Sequence, residues 1–243
     1  MEFSMTRVNA LIKKEIKDLS KNMNIVMMCA FPIIFCIIYL KLFEGNTSNV
    51  EIDKVQILLL CININFLLVS CFSIVAMIAE EKEKNTLRNL ILSGVTPLEF
   101  LIGKMITILL VSVIIDIIMF FIVGIDIQYL WKYVILTTLV VVSMIEIGAI
   151  LGIIAQNQLS ANIIAMPVMM FFLFIATYAK FNESIEKIAV FLPNYNINII
   201  LDKIFKGSNI SIEHAYGIFV ILIWIVISGV AFAYVYKKRR LDN

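Results

Sequence analysis

The chain has 243 residues, 61% of them hydrophobic and 16% charged, with a mean hydropathy of +0.98 and a formal net charge of +2. Soluble domains average about half apolar and about a quarter charged. A soluble fold is therefore excluded, and the sequence reads as an all-α integral membrane protein. The basic residues sit in short clusters beside apolar runs, so no nucleic-acid partner is expected.

Residues 3–21 have the pattern of an amphipathic helix. Val8, Leu11, Ile12, Ile16 and Leu19 share one face, and Arg7, Lys13, Lys14, Lys17 and Lys21 cover the other. Such a helix lies at the membrane surface, where its lysines favour anionic lipid headgroups. Six apolar stretches follow: Asn24–Leu42 with Pro32 as a kink, Val55–Ala79, Met105–Val123, Tyr133–Ala155, Ala161–Ala179 with Pro167 inside it, and Ala215–Tyr236. Each is long enough for a hydrocarbon core about 30 Å thick. Cys29, Cys36, Cys61 and Cys71 all fall within these stretches, where a free thiol acts as a small apolar group. No disulfide is expected.

The segment 80–104 between the second and third spans is polar. Glu80 to Lys84 are all charged. Leu87, Leu90 and Ile91 then fall at helical spacing, giving a short helix one apolar stripe. Ser93-Gly94 breaks it. Thr96-Pro97-Leu98-Glu99 has the form of a capping box, with Thr at the N-cap, Pro at the first helical position and Glu at the third. The segment 180–214 between the fifth and sixth spans carries two amphipathic pieces, Glu183–Leu192 and Ile197–Lys206, divided at Pro193. Their apolar stripes need a surface to cover. They are expected to dip back into the bilayer or to cap the spans.

Orientation follows from Lys and Arg. Thirteen of the twenty lie in the terminal, 2–3 and 4–5 segments and seven on the other side. The positive-inside rule places both termini and the 80–104 loop in the cytoplasm.

Glu81, Glu83, Thr86, Leu87, Leu90, Glu99, Gly103 and Lys104 together resemble the first cytoplasmic loop of type-2 ABC transporter permeases. Asn85 stands where that pattern has Gly, and Gly94 near where it has Pro. The resemblance extends over the whole chain. It implies six spans, an N-terminal interface helix, re-entrant helices before the last span and a coupling helix seated on a separate ATPase subunit. Glu81, Glu83, Thr86, Leu87, Leu90 and Ile91 would make the ATPase contact. It further implies a multi-pass protein of a bacterial cell membrane, paired with a second copy or a close paralogue and with two ATPase subunits. ATP and magnesium would belong to those subunits. Gly103-Lys104 is no phosphate loop of this chain, because position 98 is Leu and position 105 is Met. No cofactor and no enzymatic activity are expected of the chain itself. Small permeases of this kind often export amphipathic cargo such as antimicrobial or cytolytic peptides.

Asp116 and Glu146 sit mid-way along the third and fourth spans, with no Lys or Arg at matching depth. A mid-membrane carboxylate costs about 2.5–3.5 kcal/mol on insertion scales. Ser112 and Ser143 are within a helical turn of them. Two readings stand: the carboxyls line a translocation path, or they are polar glue between helices. Gln56, Asn63, Ser70 and Met77 recur every seven positions in the second span, with Asn65 off that stripe. This is either a path-facing line, which makes Asn63 a candidate with the two carboxyls, or a packing seam. Gly148 and Gly152 permit close helix approach. His214, the only histidine, has no cluster around it for a metal.

Two other functional classes compete. An ion-coupled secondary transporter could be built on Asp116 and Glu146, although no internal repeat is visible. An intramembrane protease could begin at Glu80-Glu81, but position 85 is Asn and the single His lies on the outer side.

Overall fold

A computed structural model describes residues 4–44, 54–84, 86, 94–207 and 212–239. These residues form nine helices and no strands, and six of the helices are long and apolar enough to cross a membrane. The chain is an all-α membrane protein. In order, the helices are α1 (Met5–Lys21), α2 (Met23–Glu44), α3 (Lys54–Glu83), α4 (Pro97–Val123), α5 (Leu130–Ile154), α6 (Gln158–Tyr178), α7 (Glu183–Ala189), α8 (Pro193–Phe205) and α9 (Ile212–Arg239). The long helices run past the apolar windows, and at the starts of α4 and α6 a capping box sets the boundary. Helix α4 starts eight residues before Met105 because the capping box forms. Thr96 Oγ1 accepts from the Glu99 amide at 3.2 Å, and Glu99 Oε2 accepts from the Thr96 amide at 2.9 Å.

Helix α3 is the centre of the bundle. It is apolar on nearly every side, and such a helix must be covered all round. Of its most apolar window 78% is buried, against 17% for α2 and for α9. Its middle, Asn65–Phe72, winds as a π-helix. Ser73 Oγ donates there to the Leu68 carbonyl five residues back, at 3.1 Å. The wider turn shifts the register of the side chains on either side of it.

Glycine sets how closely α5 meets α3. A Cβ on Gly148 would stand 2.4 Å from the Cys71 carbonyl oxygen, and one on Gly152 would stand 3.0 Å from Ile78 Cβ. Gly148 therefore marks a contact with the backbone of the π segment, and Gly152 a close seat for the Ile78 side chain.

Helix α8 does not lie on the surface. Leu192 ends the α7 turn, Pro193 occupies the first helical position, and the chain turns inward. Asn194 to Asn198, Ile200, Leu201 and Ile204 are buried against α3, α5, α6 and α9. The expected stripe of the first outer piece is split. Ala189 and Leu192 are buried while Ile188 is exposed.

Candidate functional site

One end of the bundle gathers α1, the last turns of α3, the start of α4 and the α5–α6 turn. Helix α1 turns Val8, Leu11 and Leu19 inward, with Glu15 among them at 2% exposure. Ile16, which the apolar pattern put on that face, is exposed instead. The inward face is turned toward α4, where Gly103 lets Leu11 approach: a Cβ there would be 3.0 Å from Leu11 Cβ.

Glu15 is buried because Lys104 meets it. Lys104 Nζ lies 2.7 Å from Glu15 Oε2 and 3.4 Å from Glu81 Oε1. Lys14 joins the group, 3.3 Å from Glu81 and 3.5 Å from Glu15. Partial burial works against the Lys14 ammonium, but Glu15, Glu81 and Asp18 outweigh it and hold its pKa above the usual lysine value. A second link sits five residues earlier on α4. Glu99 accepts from the Arg7 guanidinium at 2.9 and 3.1 Å and from the Ser4 amide at 2.6 Å, while also closing the α4 cap. Both ends of α1 are tied in, since Asn22 donates to Glu80 at 3.0 Å.

The other predicted coupling residues fall on the same end. Thr86 Oγ1 donates to the Glu81 carboxylate. Glu83 Oε2 accepts from the Gln158 amide at 3.0 Å. The neighbouring Lys82 donates to the carbonyls of Ile153, at 2.7 Å, and Ala155. The end of α3 is thereby fastened to the α5–α6 turn. An open cleft of ≈ 630 Å³ separates α1 from this end of α3 and is lined by Lys14, Asp18, Met77, Glu80, Thr86 and Lys104. Leu87, Leu90 and Ile91 lie outside the described residues.

The three candidate path residues do not come together. Asn63 is 3% exposed and bonded to α8: its Nδ2 donates to Asn198 Oδ1 at 2.9 Å, and its Oδ1 accepts from Asn194 at 3.2 Å. Asp116 is fully buried, and its Oδ1 accepts from Asn65 Nδ2 at 2.8 Å. Asn65 also donates to the Ser112 carbonyl at 3.1 Å, and Ser70 donates to Ser112 Oγ at 3.0 Å. Glu146 is half-buried between α5 and α9, 2.5 Å from Ser228 Oγ. The serines expected beside the carboxyls have other partners. Ser143 donates to the Val140 carbonyl at 2.8 Å.

Sequence reasoning singled out Lys104 only as part of a loop pattern and Glu99 only as part of that pattern and of a helix cap, and missed Glu15, Asn65, Asn198 and Ser228 as site residues. Glu15 had a signal. It lies four residues after Leu11 and four before Leu19, on the apolar stripe. Asn65 had none, because its direction depends on the π turn.

Six spanning helices, five of them packed around the sixth, with an ionic joint that ties α1 to one end, define a multi-pass membrane subunit rather than a soluble or interfacial protein. The ABC-2 family transporter protein model matches residues 45–235. The chain belongs to that family, and it is a membrane subunit of an ABC transporter working with an ABC ATPase. No curated protein matches it.

Proposed function

We propose that the chain is half of the membrane part of an ATP-driven exporter: two copies, or one copy and a close paralogue, with two ATPase subunits. The 80–104 segment faces the cytoplasm and couples to the ATPase through Glu81, Glu83, Thr86, Leu87, Leu90 and Ile91. One observation supports this above the others. The helices that flank this segment, α3 and α4, are bonded at that end to α1 and to the α5–α6 turn. A push on the segment would reach four elements at once and move them as a body. Cargo is an amphipathic or hydrophobic molecule such as a membrane-active peptide. Magnesium and ATP act in the partner subunit.

Glu146, half-exposed between α5 and α9, remains the carboxyl offered as a path residue. The bonds of Asn63 to Asn194 and Asn198, and the Asn65 bond to Asp116, favour packing roles for those two in this conformation.

The test is affinity purification from gently solubilised native membranes, followed by mass spectrometry. A stoichiometric subunit bearing a phosphate-binding loop is expected. Recovery of the chain alone after mild cross-linking overturns the proposal. The doubly substituted Leu87→Asp, Leu90→Asp chain should insert normally but lose cargo-stimulated ATP hydrolysis in the complex.

A further inference from the structure

At the end of the bundle opposite α1, a cleft of ≈ 300 Å³ opens between α2, α3, α6 and α8. Its size falls at the lower limit of ordinary ligand pockets. Ile57, Leu60 and Ala176 supply apolar walls, and Gln56, Asn198 and Lys180 supply the polar groups that matter here.

Asn198 is the informative residue. It is 8% exposed, and its Oδ1 accepts from Asn63 at 2.9 Å. Among the described residues its own amide nitrogen has no partner. Asn198 lines the cleft, so this unpaired amide is a hydrogen-bond donor available to whatever occupies it. The second donor is Lys180 at the rim. Its Nζ is exposed and gives one hydrogen bond, to Gln56 Oε1 at 2.6 Å, leaving donors free to meet a ligand. Gln56 passes the contact on to Asp202 at 2.8 Å, and Lys206 sits 2.9 Å from the same carboxylate. Asp202 is already ion-paired with Lys206, and Lys180 has no acidic partner among the described residues, so the rim favours an anion.

The spacing of the two donors narrows the ligand. Lys180 is at the level of Gln56 and Asn198 at the level of Asn63. Seven residues of helix separate those levels, about 10 Å at 1.5 Å per residue. A fatty acid could place its carboxylate at Lys180, but its tail would leave the Asn198 amide unpaired. An extended peptide has a carbonyl about every 3.3–3.6 Å. Its carboxylate on Lys180 would put a carbonyl some three residues back beside Asn198, with its side chains against the apolar walls.

We infer that this cleft binds the carboxyl-terminal end of an apolar peptide, held by Lys180 at its carboxylate and by Asn198 at a backbone carbonyl. The inference deepens the peptide-export reading and rests on it for the nature of the cargo. The binding assay below needs no ATPase, so loss of the coupling proposal and loss of this site give different results.

The probe is a synthetic tetra-leucine peptide with a free carboxylate and one diazirine-bearing leucine, added to the detergent-purified chain and photolysed. Label is expected within Ile57–Asn63 and Ala176–Phe181. It should fall at least tenfold when the peptide ends in an amide. Lys180→Gln, a rim change that leaves the core intact, should reduce it similarly, and Asn198→Leu should reduce it with either peptide end. Label spread evenly over exposed faces of α2 and α6 overturns the site. Complete displacement by equimolar decanoic acid overturns the peptide assignment and makes the cleft a lipid site.

Discussion

Lys104 Nζ and Glu15 Oε2 are 2.7 Å apart, and each side chain is 2% exposed. They stand 89 residues apart in sequence, one at the start of a spanning helix and one in the middle of α1's inward face. The bond turns a surface-type amphipathic helix into a packed part of the bundle.

Breaking such a pair leaves a buried charge alone, at a cost of about 3–5 kcal/mol, whereas replacing both partners with apolar groups is often neutral. Lys104→Met and Glu15→Leu should each lower the thermal midpoint by less than that full cost, because Lys14 still faces Glu15 in the first and Glu81 and the Phe100 ring still face Lys104 in the second. The combined Glu15→Leu, Lys104→Met chain should recover most of the loss seen with Lys104→Met alone. A double-mutant cycle on midpoints in one detergent checks this. Additive losses would mean that the pair holds nothing.

Gly148 carries a different constraint. With the Cys71 oxygen 2.4 Å from where its Cβ would be, Gly148→Val must push α5 off the π segment of α3. Overpacking of this kind costs about 1–3 kcal/mol. Gly94, at φ 87° with nothing within 4 Å of its Cβ position, is the control: Gly94→Asn keeps a residue that tolerates that backbone. Thermal scans should separate the two variants clearly. Equal stability would contradict the close approach of α3 and α5.

Those two positions also show what the sequence made legible. Gly148 and Gly152 announce a close contact through their spacing alone, and Thr96-Pro97-Leu98-Glu99 announces a cap. Both are local patterns, and local patterns survive in a single chain. The Lys104–Glu15 joint does not, because it needs two elements far apart to meet. The direction of Asn65 is hidden for another reason. A seven-residue repeat in α3 assumes even winding, and the π turn breaks the register between Asn63 and Met77. The six apolar runs were plain, since a bilayer demands about 20 residues from each. That α8 folds inward was only half visible. Its apolar stripe is real, but Asn194, Asn196 and Asn198 look like surface residues until their partners on α3, α6 and α7 are known.

Asp116 accepts from Asn65, and no cation faces it among the described residues. An amide can take that hydrogen bond as well as a carboxyl. Asp116→Asn should therefore leave the thermal midpoint within a degree or two. Asp116→Leu should cost about 1–3 kcal/mol by leaving the Asn65 donor unpaired. If Asp116 is packing glue, Asp116→Asn also leaves transport unchanged in vesicles across a pH series. A pH-dependent loss of transport with normal stability would move Asp116 from the packing seam to the path.

Glu99 does two jobs with one carboxylate. It closes the α4 capping box through Thr96 and it holds the start of α1 through Arg7 and the Ser4 amide. The two jobs can be separated. Thr96→Ala removes the cap side chain, at a typical cost of about 1 kcal/mol, but leaves the Arg7 contact. Arg7→Gln removes the bidentate fork but leaves the cap. Glu99→Ala removes both. Hydrogen exchange on the purified chain should then show faster exchange in residues 97–101 for Thr96→Ala, in residues 5–11 for Arg7→Gln, and in both for Glu99→Ala. If α1 exchanges at its original rate in Glu99→Ala, then the Lys104–Glu15 joint and the Lys14–Glu81 and Asn22–Glu80 contacts are enough to anchor it. In that case, Lys104 variants, and not Glu99→Ala, should loosen α1 from the movement of the 80–104 segment.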